Sequence, residues 1–145
     1  MSVAELLKKK REAQARLNAQ QGAEFLAQFK QQTNVVVLET GVAYQVLVQG
    51  NGDYPKVTDS IRCHYQGSTI TGDIFDSSIT RGEPAVFRLN KLIQAYQQVL
   101  PLVQVGSKIK LVTPAEYAYG AEAINKWIGP NSTLVFEVQL LAIEP

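Results

Sequence analysis

The spacing of apolar side chains changes character twice along this chain. From residue 2 to about 32 apolar positions are sparse, Gly and Pro are absent except for Gly22, and Ala, Leu, Lys, Glu and Gln dominate. These residues lose least on entering a helix, so the segment predicts one long helix. Glu5 with Lys8 and Lys9, Lys8 with Glu12, and Glu12 with Arg16 sit at the three- and four-residue spacings that pair charges on a helix. Val3, Leu6, Leu7, Ala13 and Leu17 make a thin stripe, whereas Phe25, Leu26 and Phe29 gather at the near end. That end is expected to dock on the rest of the chain, leaving the far end exposed or against a partner.

After Thr33 the period shortens to that of strands. Val35, Val36, Val37 and Leu38 form one run, and Val42, Tyr44, Val46 and Val48 alternate in the next. Asn51-Gly52 predicts a turn, residues 61–66 another alternating strand, and Thr71-Gly72-Asp73 a second turn. Further strands are expected over 85–89, 108–113 and 133–143. A single interior segment has helical spacing, with Leu92, Ile93, Tyr96, Val99 and Leu100 following Asn90 as N-cap and Pro101 near the far end. Residues 115–131 lack periodicity and form an ordered loop in this scheme, and long loops between good strands are more often functional than accidental. The class is α+β, an antiparallel sheet folded over one short helix. The expected division is an N-terminal helical extension over 1–33 and a second unit over 34–145.

Composition narrows the function. Apolar residues make up 46% and charged residues 19% of the 145, as in a folded domain. The net charge of +1 provides no global field for nucleic acid or an anionic membrane, so neither is an expected partner. Six basic and three acidic side chains precede residue 33, so a basic helix is joined to a mildly acidic remainder. The lone Cys63 forms no internal disulfide, and one histidine, His64, excludes a Cys/His zinc site; no metal and no cofactor are expected. With no signal-like or membrane-spanning run, the expected location is the cytoplasm.

Nucleophilic catalysis fails on geometry. In a strand, Cys63 shares a face with Ile61 and Tyr65, while His64 points the other way with Arg62 and Gln66. No nucleophile elbow, P-loop or dinucleotide fingerprint is present. Lys8 to Arg11 fan around most of a helix with glutamates nearby, which favours a solvated face over a nucleic-acid contact. Asp73, Asp76 and Glu83 are close in sequence without a spacing that pairs two carboxylates. What remains is a concentration of aromatic and aliphatic residues: Tyr65, Phe75, Phe87, Ile93, Tyr96, Tyr117, Tyr119, Trp127, Ile128 and Phe136. Individually these are core residues; together they suggest an apolar cavity with a polar rim for a hydrophobic ligand.

Several motifs then fall in a familiar order: His64-Tyr65-x-Gly67, Gly72-x-x-Phe75-Asp76-Ser77-Ser78, Arg81-Gly82-x-Pro84, Gly106-Ser107, Glu116-Tyr117-Ala118-Tyr119-Gly120 and Asn131-x-Thr133-Leu134-Val135-Phe136-Glu137-Val138. From about Glu39 onward the chain resembles the FKBP-type peptidyl-prolyl cis-trans isomerases. Gly41-x-x-Tyr44, Gly82-x-Pro84-Ala85 and Ile128-Gly129-Pro130-Asn131 resemble the bacterial macrophage-infectivity-potentiator branch. The resemblance implies a twisted antiparallel sheet wrapped around a short helix, and isomerisation of X-Pro bonds in peptides and unfolded proteins, with macrolide inhibitors as candidate ligands. It implies Asp76, Tyr119 and Ile93 as catalytic residues, the Ile93 N–H and Tyr119 hydroxyl donating to substrate carbonyls. Tyr65, Phe75, Leu92, Tyr96, Trp127, Ile128 and Phe136, with Val86 or Ala85, would line the proline pocket. The branch's helical extension serves dimerisation in longer members, so a homodimer through the N-terminal helix is a candidate assembly.

Two departures stand out. Where the family usually has Val-Ile-Pro-Gly-Trp, this chain has Leu92-Ile93-Gln94-Ala95-Tyr96, so a phenol replaces the indole floor. A binding or chaperone module with weak turnover is the alternative that this floor allows. Asn125-Lys126-Trp127 replaces a segment richer in Gly and Pro, and Trp127 either caps the cavity or packs at the domain edge.

Overall fold

The computed structural model describes residues 2–120 and 128–145. Helix α1 (Val3–Lys30) starts where the Ser2 hydroxyl accepts the Glu5 N–H at 3.1 Å, a side-chain N-cap. Strands β1 (Val35–Val37), β2 (Ala43–Val48), β3 (Ser60–Thr69) and β4 (Ile74–Ser77) follow. Then come a one-turn helix α2 (Ser78–Arg81), strand β5 (Ala85–Arg88), helix α3 (Gln94–Val99), strand β6 (Lys108–Thr113) and strand β7 (Leu134–Glu144).

All pairings are antiparallel, in the order β1-β2-β6-β7-β3-β4, with β5 sharing the outer edge of β3. Alternation assigns the faces. Tyr44, Ile109, Leu111, Leu134, Phe136, Val138 and Leu140 join Ala95, Tyr96 and Val99 of α3 in the main core, so the sheet folds over its short helix as the pattern predicts. Ala43, Val112 and Val135 point to the opposite face, where Leu26 and Phe29 of α1 cover them. The near end of α1 therefore docks, at about 1.5–3 kcal/mol for each large side chain buried, and the Lys110 ammonium lies 5.9 Å from the Phe29 ring centre. At the far end Val3 and Leu7 stay 72% and 61% exposed.

Three local expectations change. Asn51-Gly52 closes no hairpin, because β2 pairs with β6; the Gly52 N–H instead donates to the Val105 carbonyl at 3.0 Å. Asn90 does not cap the interior helix. Residues Leu89–Lys91 form a 3₁₀ turn, closed by the Leu92 N–H on the Leu89 carbonyl, and Leu92 and Ile93 are extended, so α3 starts only at Gln94. The third is a second interior helix. Strand β4 and the four-residue α2 are too short to show a period, although the ends of α2 carry local signals: the Ser77 hydroxyl accepts the Thr80 N–H at 3.2 Å, and Gly82 ends the turn at φ 78°.

Gly22 shows why a helix-weakening residue is placed inside α1. It is buried against Thr133, and a methyl group built on it overlaps the Thr133 side chain. Gly22→Ala raises intrinsic helix propensity yet should destabilise the protein by about 1–3 kcal/mol through overpacking. Urea unfolding measures this; a gain in stability would show that α1 does not dock at Thr133.

Candidate functional site

A cavity of about 290 Å³ opens between α3, the concave face of the sheet and the 3₁₀ turn, lined by Tyr65, Phe75, Asp76, Phe87, Lys91, Leu92, Ile93, Tyr96, Tyr119 and Phe136. Register builds its wall. On β3, Tyr65 faces inward opposite Val138, and Gly67 lies opposite Phe136. A Cβ on Gly67 would come within 2.6 Å of Phe75 and 2.9 Å of Phe136. Only glycine lets those two rings close over the strand, edge to face with centroids 5.8 Å apart. Phe136 also meets Tyr96 edge to face at 5.1 Å, and Tyr65 packs against Phe87 at 5.6 Å.

The rim is polar and largely self-satisfied. The Tyr65 hydroxyl donates to Asp76 Oδ2 at 2.6 Å, while Arg81 donates through Nη1 to Asp76 Oδ1 at 2.6 Å and through Nη2 to the Tyr65 hydroxyl at 3.0 Å. Both Asp76 oxygens are thus occupied from within the protein. The guanidinium also lies 5.6 Å from the Tyr65 ring centre. Burial, then the Asp76 carboxylate, pushes the Tyr65 phenol above its ordinary range. Burial followed by the charge of Asp76 does the same for Tyr119, which therefore remains a donor at neutral pH.

Two uncharged donors of the lining residues are unspent among the described residues. The extended stretch before α3 leaves the Ile93 N–H without an acceptor among the described residues, while the Ile93 carbonyl accepts from Tyr96 and Gln97. The Tyr119 hydroxyl likewise meets no partner among them.

Tyr96 forms part of the floor, 5% exposed, and its buried hydroxyl has no hydrogen-bond partner among the described residues. Desolvation, then the Cys63 thiol, drives its phenol well above the ordinary range. Cys63 is itself fully buried, its pKa pushed up to about 11 by desolvation. It shares its face with Ile61 and Tyr65, as alternation predicts, while the His64 ring turns away and pairs through Nδ1 with the Ser78 hydroxyl at 3.0 Å.

The structure thus brings Tyr65, Phe75, Asp76, Leu92, Ile93, Tyr96, Tyr119 and Phe136 to one cavity. It places Ile128 in the main core, off the cavity lining. Val86 is 54% exposed on the outer side of β5 and Ala85 packs against the core, so Phe87 is the residue of that strand at the cavity. Trp127 lies outside the described residues. Residue reasoning did not single out Arg81 or Lys91 as site residues, and it named Phe87 only within the wider aromatic set. For Arg81 the signal was its five-residue separation from Asp76, which one helical turn folds back; for Phe87 it was alternation from Ala85 along β5.

A larger cleft of about 410 Å³ lies between α1 and the turn after β3, but its lining holds no aromatic ring, and Ile70 stands among polar residues such as Gln14, Asn18, Gln21, Thr71 and Asp73.

Comparison with known families decides the kinship. Residues 52–141 match the model of the FKBP-type peptidyl-prolyl cis-trans isomerases, and residues 1–46 that of the domain amino-terminal to them. The chain belongs to the FKBP-type isomerase family. The FKBP-type peptidyl-prolyl cis-trans isomerase FkpA of Escherichia coli is 43% identical over 136 residues, covering 94% of this chain and 50% of the relative. The FKBP-type 22 kDa isomerase of the same species is 44% identical over 125 residues, covering 86% and 61%. The chain therefore spans about half the length of the curated relatives it matches. The crystal structure of E. coli FkpA superposes with a TM-score of 0.91 at 42% identity, covering 95% of this chain and 64% of that one. An isomerase from Pseudomonas syringae superposes at 0.83 with 31% identity, covering 90% and 96%. Likeness to a Mip of Coxiella burnetii, 35% identical over 127 residues and covering 88% and 55%, agrees with the branch suggested by the motifs.

The cytoplasmic expectation gains no support. A relative from Legionella longbeachae, 34% identical over 127 residues and covering 88% and 54%, bears the name outer membrane protein MIP. Cys63 is fully buried and its thiol is held in the protonated form, so a single thiol carries no compartment information here.

The Tyr96 floor gives a direct check on this geometry. An unpaired buried hydroxyl costs about 1–3 kcal/mol, so Tyr96→Phe should stabilise the protein by up to that amount in chemical denaturation. A loss of stability would mean that the hydroxyl has a partner in solution.

Proposed function

We propose that the chain accelerates rotation about X-Pro peptide bonds in proline-containing peptides and unfolded proteins. The observation that carries this reading is the aromatic cavity with two unspent donors, the Ile93 N–H and the Tyr119 hydroxyl, on its rim. The reaction breaks no σ bond. Its barrier of roughly 18–20 kcal/mol is the resonance lost when the amide leaves planarity. The cis and trans forms of an X-Pro bond are nearly equal in energy but exchange in tens to hundreds of seconds.

A site accelerates this exchange only by binding the twisted amide better than either planar form. Twisting withdraws charge from the carbonyl oxygen and pyramidalises the nitrogen. Water solvates the more polar planar amide better, so moving the bond onto the rings of Phe75, Tyr96 and Phe136 narrows the gap to the twisted state. The Ile93 N–H and Tyr119 hydroxyl then hold the flanking carbonyls in a turn that presents the twisted bond. Asp76 acts through Tyr65 and Arg81 by fixing the rim, and its occupied oxygens spare the substrate carbonyls a facing anion. Each 1.4 kcal/mol of such preference is about tenfold in rate.

Macrolides carrying a prolyl-like ring are proposed ligands of the same cavity. Self-association through the exposed end of α1, where Val3, Leu6, Leu7 and Leu17 lack cover, is the proposed use of that helix. Equilibrium sedimentation should then give twice the 16.0 kDa chain mass, reverting to one on Leu7→Glu; a wild-type monomer at high concentration would rule this out.

The test of the isomerase reading is NMR exchange spectroscopy on an Ala-Leu-Pro-Phe peptide. Micromolar protein should broaden or exchange the cis and trans proline signals, and Phe136→Ala should abolish the effect. Binding without faster exchange would favour a chaperone module built on the same pocket.

A further inference from the structure

We infer that Lys91 is a specificity-determining residue that favours prolines flanked by a carboxylate, an inference that rests on the isomerase reading above. Lys91 ends the 3₁₀ turn Leu89–Lys91, two residues before Ile93, and lines the cavity on the same wall. It is exposed, and no carboxylate among the described residues lies within ion-pair distance of it; the ion pairs found there are Arg62–Glu144 and Arg81–Asp76.

The other charged residue in the lining is Asp76, and its two oxygens are taken by Tyr65 and Arg81. The anion at the mouth is therefore neutralised by a neighbour, while the Lys91 cation has no such neighbour among the described residues. Counting Arg81, the mouth carries two positive charges against one negative, although the whole chain has a net charge of only +1. A peptide seated by its proline ring must run its neighbouring residues over this rim. A glutamate or aspartate there meets a free ammonium, and a lysine or arginine meets repulsion. The apolar cavity sets the proline requirement, and Lys91 grades the residues around it.

Because the pair forms in solvent, its effect is that of an exposed ion pair, about two- to fivefold in kcat/KM, and salt screens it. The competing role for Lys91 is to cover the apolar wall with its methylene stem, which leaves charge irrelevant. Peptides Ala-X-Pro-Phe and Ala-Leu-Pro-X with X as Glu, Gln or Lys separate the two. By NMR exchange, the wild-type protein should favour Glu over Gln by about two- to fivefold in at least one series. That ratio should fall to about one in Lys91→Met, invert in Lys91→Glu, and shrink in high salt.

A Glu/Gln ratio unchanged by Lys91→Glu would overturn the inference while leaving the isomerase reading intact. If no peptide is accelerated by any form of the protein, the isomerase reading falls instead. The Glu/Gln ratio of dissociation constants, from chemical-shift titration of the same peptides, then still decides whether Lys91 selects charge.

Discussion

The pairing of β3 with β7 is the constraint on which the rest depends. It runs from Ser60 opposite Glu144 to Thr69 opposite Leu134, and it sets which side chains of these two strands face α3. A one-residue slip of β3 against β7 would turn Tyr65 to the opposite face of the sheet and bring Gln66 toward the cavity. The bulge between Arg62 and Cys63 helps pin that register. Because Gly67 sits opposite Phe136, the same pairing creates the gap into which Phe75 and Phe136 close. Cavity shape is thus a property of the sheet, with α3 supplying the floor and the turn before it supplying a donor.

A second level of organisation concerns charge. An apolar cavity with a bare carboxylate at its lip would repel the carbonyl oxygens of a peptide. Arg81 and Tyr65 convert Asp76 from a free anion into the centre of a fixed network, and the network holds the Tyr65 ring at the wall. The rim is therefore rigid without being strongly charged on that side, and among the described residues its unspent donors lie at Ile93, Tyr119 and Lys91. Tyr96 departs from this economy: its buried hydroxyl is unsatisfied among the described residues, a local cost at the position where the family usually carries an indole.

Much of this was legible in the residues. Alternation in 61–66 separated Cys63 from His64 and removed a false nucleophile, and the strand over 108–113 coincides with β6 because its period was unbroken. The docking of α1 was visible in Phe25, Leu26 and Phe29. Less legible were features set by tertiary contact. The interruption that frees the Ile93 N–H arises because Leu89 is buried and closes a 3₁₀ turn, which hydrophobic spacing at 92–100 conceals. Helix α2 is a single turn, so no periodicity announces it, and without it Arg81 and Asp76 appear unrelated. The choice of Phe87 over Val86 depends on the pairing of β5 with β3, which places Phe87 opposite the inward-facing Ile61.

On the proposed isomerase reading this cavity lowers a rotational barrier by solvation and positioning alone, with no proton transferred to or from the bond. A solvent isotope comparison of catalysed exchange addresses it most directly. Equal kcat/KM in H₂O and D₂O, with no dependence on pH between 6 and 8, is expected of such a cavity. A clearly slower rate in D₂O that follows the ionisation of a side chain would mean general acid–base catalysis and would contradict it.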